Sequence, residues 1–174
     1  MRHLRLALFS ALLLLCGCAA LDRWHALRAL PPALQAEAVE FGSNEVNGLG
    51  PGGAETGFYV IRLGAEGAER AAAGGVPWLN AQPGGRLDPH WAPTPVPRDE
   101  YWLGRPDSAM GAFPEPTVAA VLDRYGFGID LPEEHRSAVD AALNASGSFY
   151  AFGRGGLVAV VVPATRRAYV FYAG

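Results

Sequence analysis

The sequence predicts an α+β fold: an antiparallel sheet that ends in a C-terminal three-stranded meander, with helices packed on one face. The meander strands are expected at residues 148–152, 156–162 and 167–172, which are rich in β-branched and aromatic side chains and are separated by turns containing Gly or Pro. Helical periodicity covers residues 116–125 and 132–143. The chain order of strand, weak helix, long loop, two helices and meander favours this class because strands and helices are largely segregated along the chain.

Residues 21–41 mix polar and apolar side chains and are split by Pro31 and Pro32. Asp22 is placed to cap a short helix. The apolar residues that recur at helical spacing after it are Trp24, Leu27 and Leu30. Residues 36–41 are equally consistent with a strand. We interpret residues 18–42 as an N-terminal tether and residues 43–174 as a single α+β domain.

The domain is expected to begin with a loop, a strand and a helix. Residues 43–55 are rich in Gly and Asn, which is typical of a loop. Residues 56–63 are dominated by β-branched and aromatic residues, which predicts a strand. Residues 65–73 are rich in Ala, which favours a helix, and Gly74 followed by Gly75 is expected to end it.

The two later helices carry start signals and apolar faces. Pro116 stands in the first turn of the earlier helix, where its missing N–H is harmless. Asp130 and Glu133 have the spacing of a capping box for the second helix. The residues expected on its inward face are Val139, Ala142 and Leu143. In the meander, residues 157–162 are apolar at every position, which predicts a central strand buried on both faces.

Residues 75–115 form a long segment without convincing periodicity, rich in Pro and holding three of the four tryptophans. Loops of this length in a compact domain are usually functional or disordered, and tryptophans argue against disorder because they need burial. Since Trp, Tyr and Arg dominate interfaces, we predict a surface here that binds a protein or a glycan. Its members are Trp91, Tyr101, Trp102 and Arg105. The alternative is that the tryptophans only pin the loop onto the core.

The N-terminus has the layout of a secretory signal. A short positive stretch precedes an apolar run over residues 6–21, which is shorter than the roughly 20 residues that a membrane-spanning helix needs. Within that run lies Leu15-Cys16-Gly17-Cys18, which resembles the lipobox of bacterial lipoproteins. The resemblance implies a signal peptide at residues 1–17 and acylation of Cys18.

The same resemblance implies a location. Acylation with several chains anchors a protein durably, whereas one chain binds only marginally. Ala19 follows Cys18 where Asp would imply retention at the inner membrane, so the resemblance implies an outer-membrane anchor and a domain facing the periplasm. The alternative is ordinary secretion, with cleavage after Ala20.

Composition limits the chemistry of the mature chain. Cys16 leaves with the signal and Cys18 is acylated, so no thiol remains for a disulfide, a cysteine nucleophile or a thiolate metal site. Removal of Arg2 and Arg5 leaves 12 basic residues against 17 acidic ones and a formal net charge of −5. No basic field is left to attract nucleic acid, so no nucleic-acid partner is predicted.

The remaining polar residues show no recognised catalytic spacing. Neither a Gly-x-Ser-x-Gly elbow nor a His-Glu-x-x-His motif is present. Asp88 and His90 are metal-ligand types without such spacing, and we interpret them as solvated loop residues. Arg154, Arg166 and Arg167 lie in the meander turns, where they form either a small anion-binding end of the sheet or solubilising charges. We predict no catalytic residue, no metal and no cofactor.

Two classes of function remain. The first is a non-enzymatic binding or assembly domain, which the membrane anchor on Cys18 presents to the periplasm. The second is a small envelope hydrolase of glycans or esters, with a carboxylate or Ser/His site in residues 75–115. The lack of catalytic spacing favours the first class.

Cys18→Ala tests the anchor. We expect the variant to lack the mass of the acyl groups and to lose its lipid anchor, because the thiol at the modified position of the lipobox is gone. Mass spectrometry of the intact protein, together with membrane fractionation, measures both. Cys16→Ala is the matched control and should keep wild-type lipid and location. A Cys18→Ala protein whose mass differs from wild type only by the substitution would contradict the lipobox.

Overall fold

The computed structural model describes residues 23–47, 54–85, 90–97, 115–126 and 128–174. Its strands are β1 (Ala36–Asn47), β2 (Ala54–Leu63), β3 (Ala92–Pro93), β4 (Phe149–Phe152), β5 (Val158–Val162) and β6 (Arg167–Ala173). Its helices are α1 (residues 23–29), α2 (Ala65–Asn80), α3 (Val118–Leu122) and α4 (Glu133–Asn144). Short 3₁₀ turns lie at Pro32–Leu34 and Pro163–Thr165. The signal at residues 1–17 and Cys18 lie outside the described residues.

The strands form one sheet in the order β1-β2-β6-β5-β4-β3, and every neighbouring pair is antiparallel. The predicted fold class is confirmed: the protein is α+β, and the C-terminal strands β4, β5 and β6 lie side by side as a meander. Residues 158–161 of β5 are buried on both faces of the sheet, as the unbroken apolar run predicted.

The helices cover both faces of the sheet, whereas the sequence predicted one covered face. On one face, Tyr59 and Ile61 of β2 pack in a cluster with Ala26 of α1 and Ala68 of α2. On the other face, β2 presents Phe58 and Val60, which pack with residues of α3 and α4. Successive residues of a strand point to opposite faces. Strands that are apolar at every position, as β5 is, therefore require a cover on each side.

The first hairpin is longer than predicted. Residues 43–47 belong to β1 and residues 54–55 to β2, so the predicted loop over residues 43–55 is wrong at both ends. The physical reason is the position of β1 at the sheet edge, where it pairs with β2 alone. An edge strand needs no continuous apolar pattern, and polar residues such as Glu45 are tolerated on it.

Helix α2 breaks at the predicted glycine but then resumes. Gly75 has φ 54° and ψ −149°, a conformation that only glycine adopts without strain, and helical residues continue beyond it to Asn80. The continuation carries Leu79 into the core and packs Trp78 against the same cluster. Thus the first part of residues 75–115 is ordered against the domain.

Both later helices are present, but α3 spans only Val118–Leu122 of the predicted residues 116–125, and the caps differ. Pro116 precedes the N-cap Thr117, so its predicted place in the first turn is wrong. Thr117 caps α3 by accepting a hydrogen bond from the N–H of Ala120 at 3.2 Å. Helix α4 has Pro132 at its N-cap without a side-chain cap, so the predicted capping box does not form. A capping box needs its first residue at the N-cap, and Asp130 lies two residues before the N-cap Pro132. The predicted inward residues are buried: Val139, Ala142 and Leu143. Within the described ranges, no helix is both long and apolar enough to cross a bilayer.

Phe171→Ala tests the centre of the sheet. Phe171 lies on β6 opposite Phe58 of β2 and Val158 of β5, and it is fully buried. We expect a loss of about 3–5 kcal/mol in the free energy of unfolding, because the ring is removed and a cavity remains. Urea denaturation measures it. Tyr125→Ala, at a side chain that is 57% exposed, is the control and should change stability by less than about 0.5 kcal/mol. Similar losses in the two variants would contradict this core.

Candidate binding pocket

Trp91, predicted as a partner-binding residue, is buried in the core with 4% of its surface exposed. The Asn80 side chain holds its backbone: Oδ1 accepts from the Trp91 N–H at 2.6 Å, and Nδ2 donates to the Trp91 carbonyl at 3.4 Å. The Trp91 side chain therefore anchors this part of the loop to the core and is not exposed to a partner. The other predicted members, Tyr101, Trp102 and Arg105, lie outside the described residues.

A pocket of about 280 Å³ lies elsewhere, on the face of the sheet that α1 covers. It is bounded by α1, by the neighbouring ends of β2 and β6, and by the turn that joins β4 to β5. Its apolar wall consists of Ala26, Ala29, Leu157 and Val170. Its polar groups are His25, Glu55, Tyr59, Arg154 and Tyr172. An apolar cavity with a few convergent polar groups is typical of a small-molecule site.

The floor of this pocket follows from the pairing of β2 with β6. Gly57 lies directly opposite Tyr172, and Glu55 and Tyr59 share the same face of β2 because they are two residues away on either side. The Tyr172 ring lies over Gly57, where a Cβ would come within 2.6 Å of its Cζ. The absent side chain of Gly57 thus makes room for the ring.

The Tyr172 hydroxyl reaches along β2 to Glu55. It donates a hydrogen bond to Glu55 Oε1 over 2.7 Å. The backbones are joined at the same point, because Glu55 N–H donates to the Gly174 carbonyl at 2.6 Å and Gly174 N–H donates to the Glu55 carbonyl at 3.0 Å. This pair of contacts fixes the carboxylate and the phenol at one wall of the pocket.

Burial raises the pKa of the Tyr172 phenol well above its ordinary value of 10.0, and the hydrogen bond to Glu55 raises it further. The nearby Tyr59 phenol acts in the same direction. Tyr172 therefore remains a neutral hydrogen-bonding phenol at any physiological pH. A neutral phenol can donate or accept a hydrogen bond, but it is a poor base.

Two basic side chains stand at the rim. Arg154 is exposed in the turn between β4 and β5 and makes no salt bridge with any residue that the structure describes. His25, on α1, contacts the ring of Trp24 with 5.1 Å between ring centroids. Small residues of α1, Ala26 and Ala29, leave the volume between the helix and the sheet open.

Of the other two arginines predicted for an anion site, Arg167 begins β6 and is ion-paired. Its Nε donates to Glu40 Oε2 at 2.8 Å. Hydrogen bonding to Glu40 raises the pKa of Arg167. His90 is exposed, and its predicted neighbour Asp88 lies outside the described residues. In the ranges with described coordinates, no group of three His, Cys, Asp or Glu residues is arranged to hold a metal ion.

Comparisons with protein-family models, with curated proteins and with solved structures gave no match.

Of the pocket's polar groups, sequence reasoning singled out Arg154 alone as a candidate anion-binding residue. It missed Tyr59 and Tyr172 as site residues because strand patterns identify them only as sheet positions. The available signal was Gly57 in the middle of a strand, since a strand glycine often marks close approach of another group. Gly57 alone does not identify Tyr172 as the approaching group, because that requires the register of β2 against β6.

Tyr172→Phe tests the buried phenol through pH. The unfolded chain releases the Tyr172 proton near pH 10.0, whereas the folded state keeps it to a higher pH because its pKa is raised. The contribution of Tyr172 to the free energy of unfolding is therefore complete below pH 10.0 and is lost as the pH rises above it. We expect the wild type to lose more stability than Tyr172→Phe between about pH 9 and about pH 11. Urea unfolding at each pH measures the difference. The control Tyr125→Phe removes an exposed phenol and should follow the wild type, and identical slopes in all three proteins would contradict the assignment.

Proposed function

We propose that the chain is a lipid-anchored binding protein of the bacterial envelope, with its ligand site in the pocket between α1 and the ends of β2 and β6. The single observation that carries the binding function is this cavity of about 280 Å³, with its apolar wall and its convergent polar groups. The anchor rests on the lipobox resemblance at Cys18, and the periplasmic face of the outer membrane rests on Ala19.

The chemistry of the lining supports a small amphiphilic anion as the ligand. Leu157 and Val170 offer apolar surface against which a hydrocarbon body gains burial. At the rim, Arg154 offers guanidinium donors that no described acidic residue occupies, and carboxylates are the groups that such a fork binds best. Glu55 also lines the pocket, and one of its carboxylate oxygens, Oε1, accepts the hydrogen bond from the Tyr172 hydroxyl.

Binding is supported over hydrolysis at this pocket. A hydrolase requires a nucleophile or a general base whose pKa is matched to its working pH. The raised pKa of Tyr172 stabilises the neutral phenol, which does not suit it as a general base. The proposed hydrolase site in residues 75–115 has no supporting geometry among the described residues of that segment. The partner in our proposal is therefore a small molecule, taken up by a domain without catalytic chemistry.

The ligand class is tested with three probes that share one chain: octanoate, octanol and octylammonium. The mature chain with Cys18→Ser is titrated, and chemical-shift changes of backbone amides report where each probe binds. We expect octanoate to bind at the pocket most tightly and Arg154→Gln to weaken it about tenfold, because one charge-assisted contact is lost. Arg166→Gln, which removes an equal charge from another turn, should leave octanoate binding unchanged.

Further results test the pocket and the recognition of an anion separately. Ala29→Leu adds side-chain volume at the pocket wall and should reduce the binding of all three probes. The midpoint of its urea denaturation checks that the variant still folds. Equal binding of octanoate and octanol, with no effect of Arg154→Gln, would overturn anion recognition. Absence of shifts at the pocket for every probe would overturn the binding function.

A further inference from the structure

Helix α1 presents a basic and aromatic side away from the domain. Its inner side is buried through Ala26 and Ala29, which pack on the sheet. Trp24 and Arg28 are one helical turn apart and lie on the outer side, where Trp24 is 49% exposed. The Arg28 guanidinium carbon stands 4.4 Å from the centroid of the Trp24 ring, a cation–π contact. Arg23 is also exposed.

The arginines of α1 differ from most others that the structure describes. Neither Arg23 nor Arg28 forms a salt bridge with a described acidic residue. Elsewhere on the described surface, carboxylates pair with Arg62, Arg70, Arg136 and Arg167. The two charges of α1 are therefore available to an anionic surface outside the domain.

The sequence places this helix beside the anchor. Arg23 follows Cys18 by five residues. A fully extended chain advances about 3.3–3.6 Å per residue, so five residues reach at most about 18 Å. With an acyl group on Cys18 inserted in a bilayer, α1 stays near the headgroups, at a distance comparable with the Debye length of about 10 Å.

Charge then selects the orientation. The mature chain has a formal net charge of −5, so an anionic bilayer repels the domain as a whole. The side of α1 with Arg23 and Arg28 is attracted to that surface, although Asp22 offsets one of the charges. Trp24 adds an amphipathic ring of the kind enriched where protein meets the membrane interface. Because the tether already holds the chain in place, weak contacts suffice to orient it.

We propose that the outer side of α1, formed by Arg23, Trp24 and Arg28, lies on the anionic phospholipid surface to which Cys18 is tethered. The inference rests on the proposed acylation of Cys18. Because His25 on the same helix lines the pocket, this orientation brings the pocket rim close to the lipid headgroups.

The test uses the acylated chain, with its lipid confirmed by mass, reconstituted into vesicles that contain a brominated phosphatidylcholine as quencher. Subtracting the fluorescence of Trp24→Phe from that of the wild type isolates the signal of Trp24. We expect quenching of Trp24 to be several-fold stronger when phosphatidylglycerol is present than in phosphatidylcholine alone, and to fall with added salt. The double variant Arg23→Gln with Arg28→Gln should lose the effect of phosphatidylglycerol.

The matched control is the double variant Arg70→Gln with Arg136→Gln, which removes two charges from α2 and α4 and should behave as the wild type. Quenching that is the same with and without phosphatidylglycerol, or the same in both double variants, would overturn the headgroup contact while leaving the anchor intact. A chain that carries no acyl mass would overturn the anchor and this inference together, and it would leave the pocket titration as an independent result.

Discussion

The pairing of β2 with β6 is the constraint on which the fold and the pocket depend. It joins segments far apart in the chain, since the hydrogen bond between Glu55 and Tyr172 spans 117 residues. In the sheet this pairing joins the first hairpin, to which β2 belongs, to the meander, to which β6 belongs. Their alternating side chains supply Phe58 to one core and Tyr59 to the other. A change of register by one residue would exchange these faces and separate Tyr172 from Glu55.

Neither core contains a cysteine, because the two cysteines of the sequence, Cys16 and Cys18, lie outside the described residues. Instead, apolar side chains are buried on both faces of one sheet. Small residues bring the helices close: a Cβ on Gly67 of α2 would collide with the Leu34 carbonyl. At the opposite face, the fully buried Val139 and Leu143 of α4 close the second cluster. Packing is thus the main stabilising term on either side of the sheet.

Local patterns predict most of the elements but neither all of their ends nor their assembly. The apolar run of β5 predicts its central place, and apolar residues at helical spacing predict the helices near residues 118 and 133. The second covered face and the pocket depend on register, which no short window of sequence contains. The Gly and Asn content of residues 43–55 predicts a loop at Glu55, and only the partner strands show that Glu55 is paired and bonded to Tyr172.

The two edges of the sheet have a consequence for how the molecule behaves at high concentration. An unpaired strand edge is a template onto which another chain can add. Here one edge, β3, is only two residues long, and Pro93 has no N–H to offer. The other edge, β1, is twelve residues long and carries Glu37, Glu40 and Glu45. Glu37 and Glu40 form ion pairs with Arg62 and Arg167, so this edge presents charged side chains of both signs. Charged side chains on an edge strand disfavour pairing with another sheet, so a high concentration does not favour growth of the sheet from one molecule into the next.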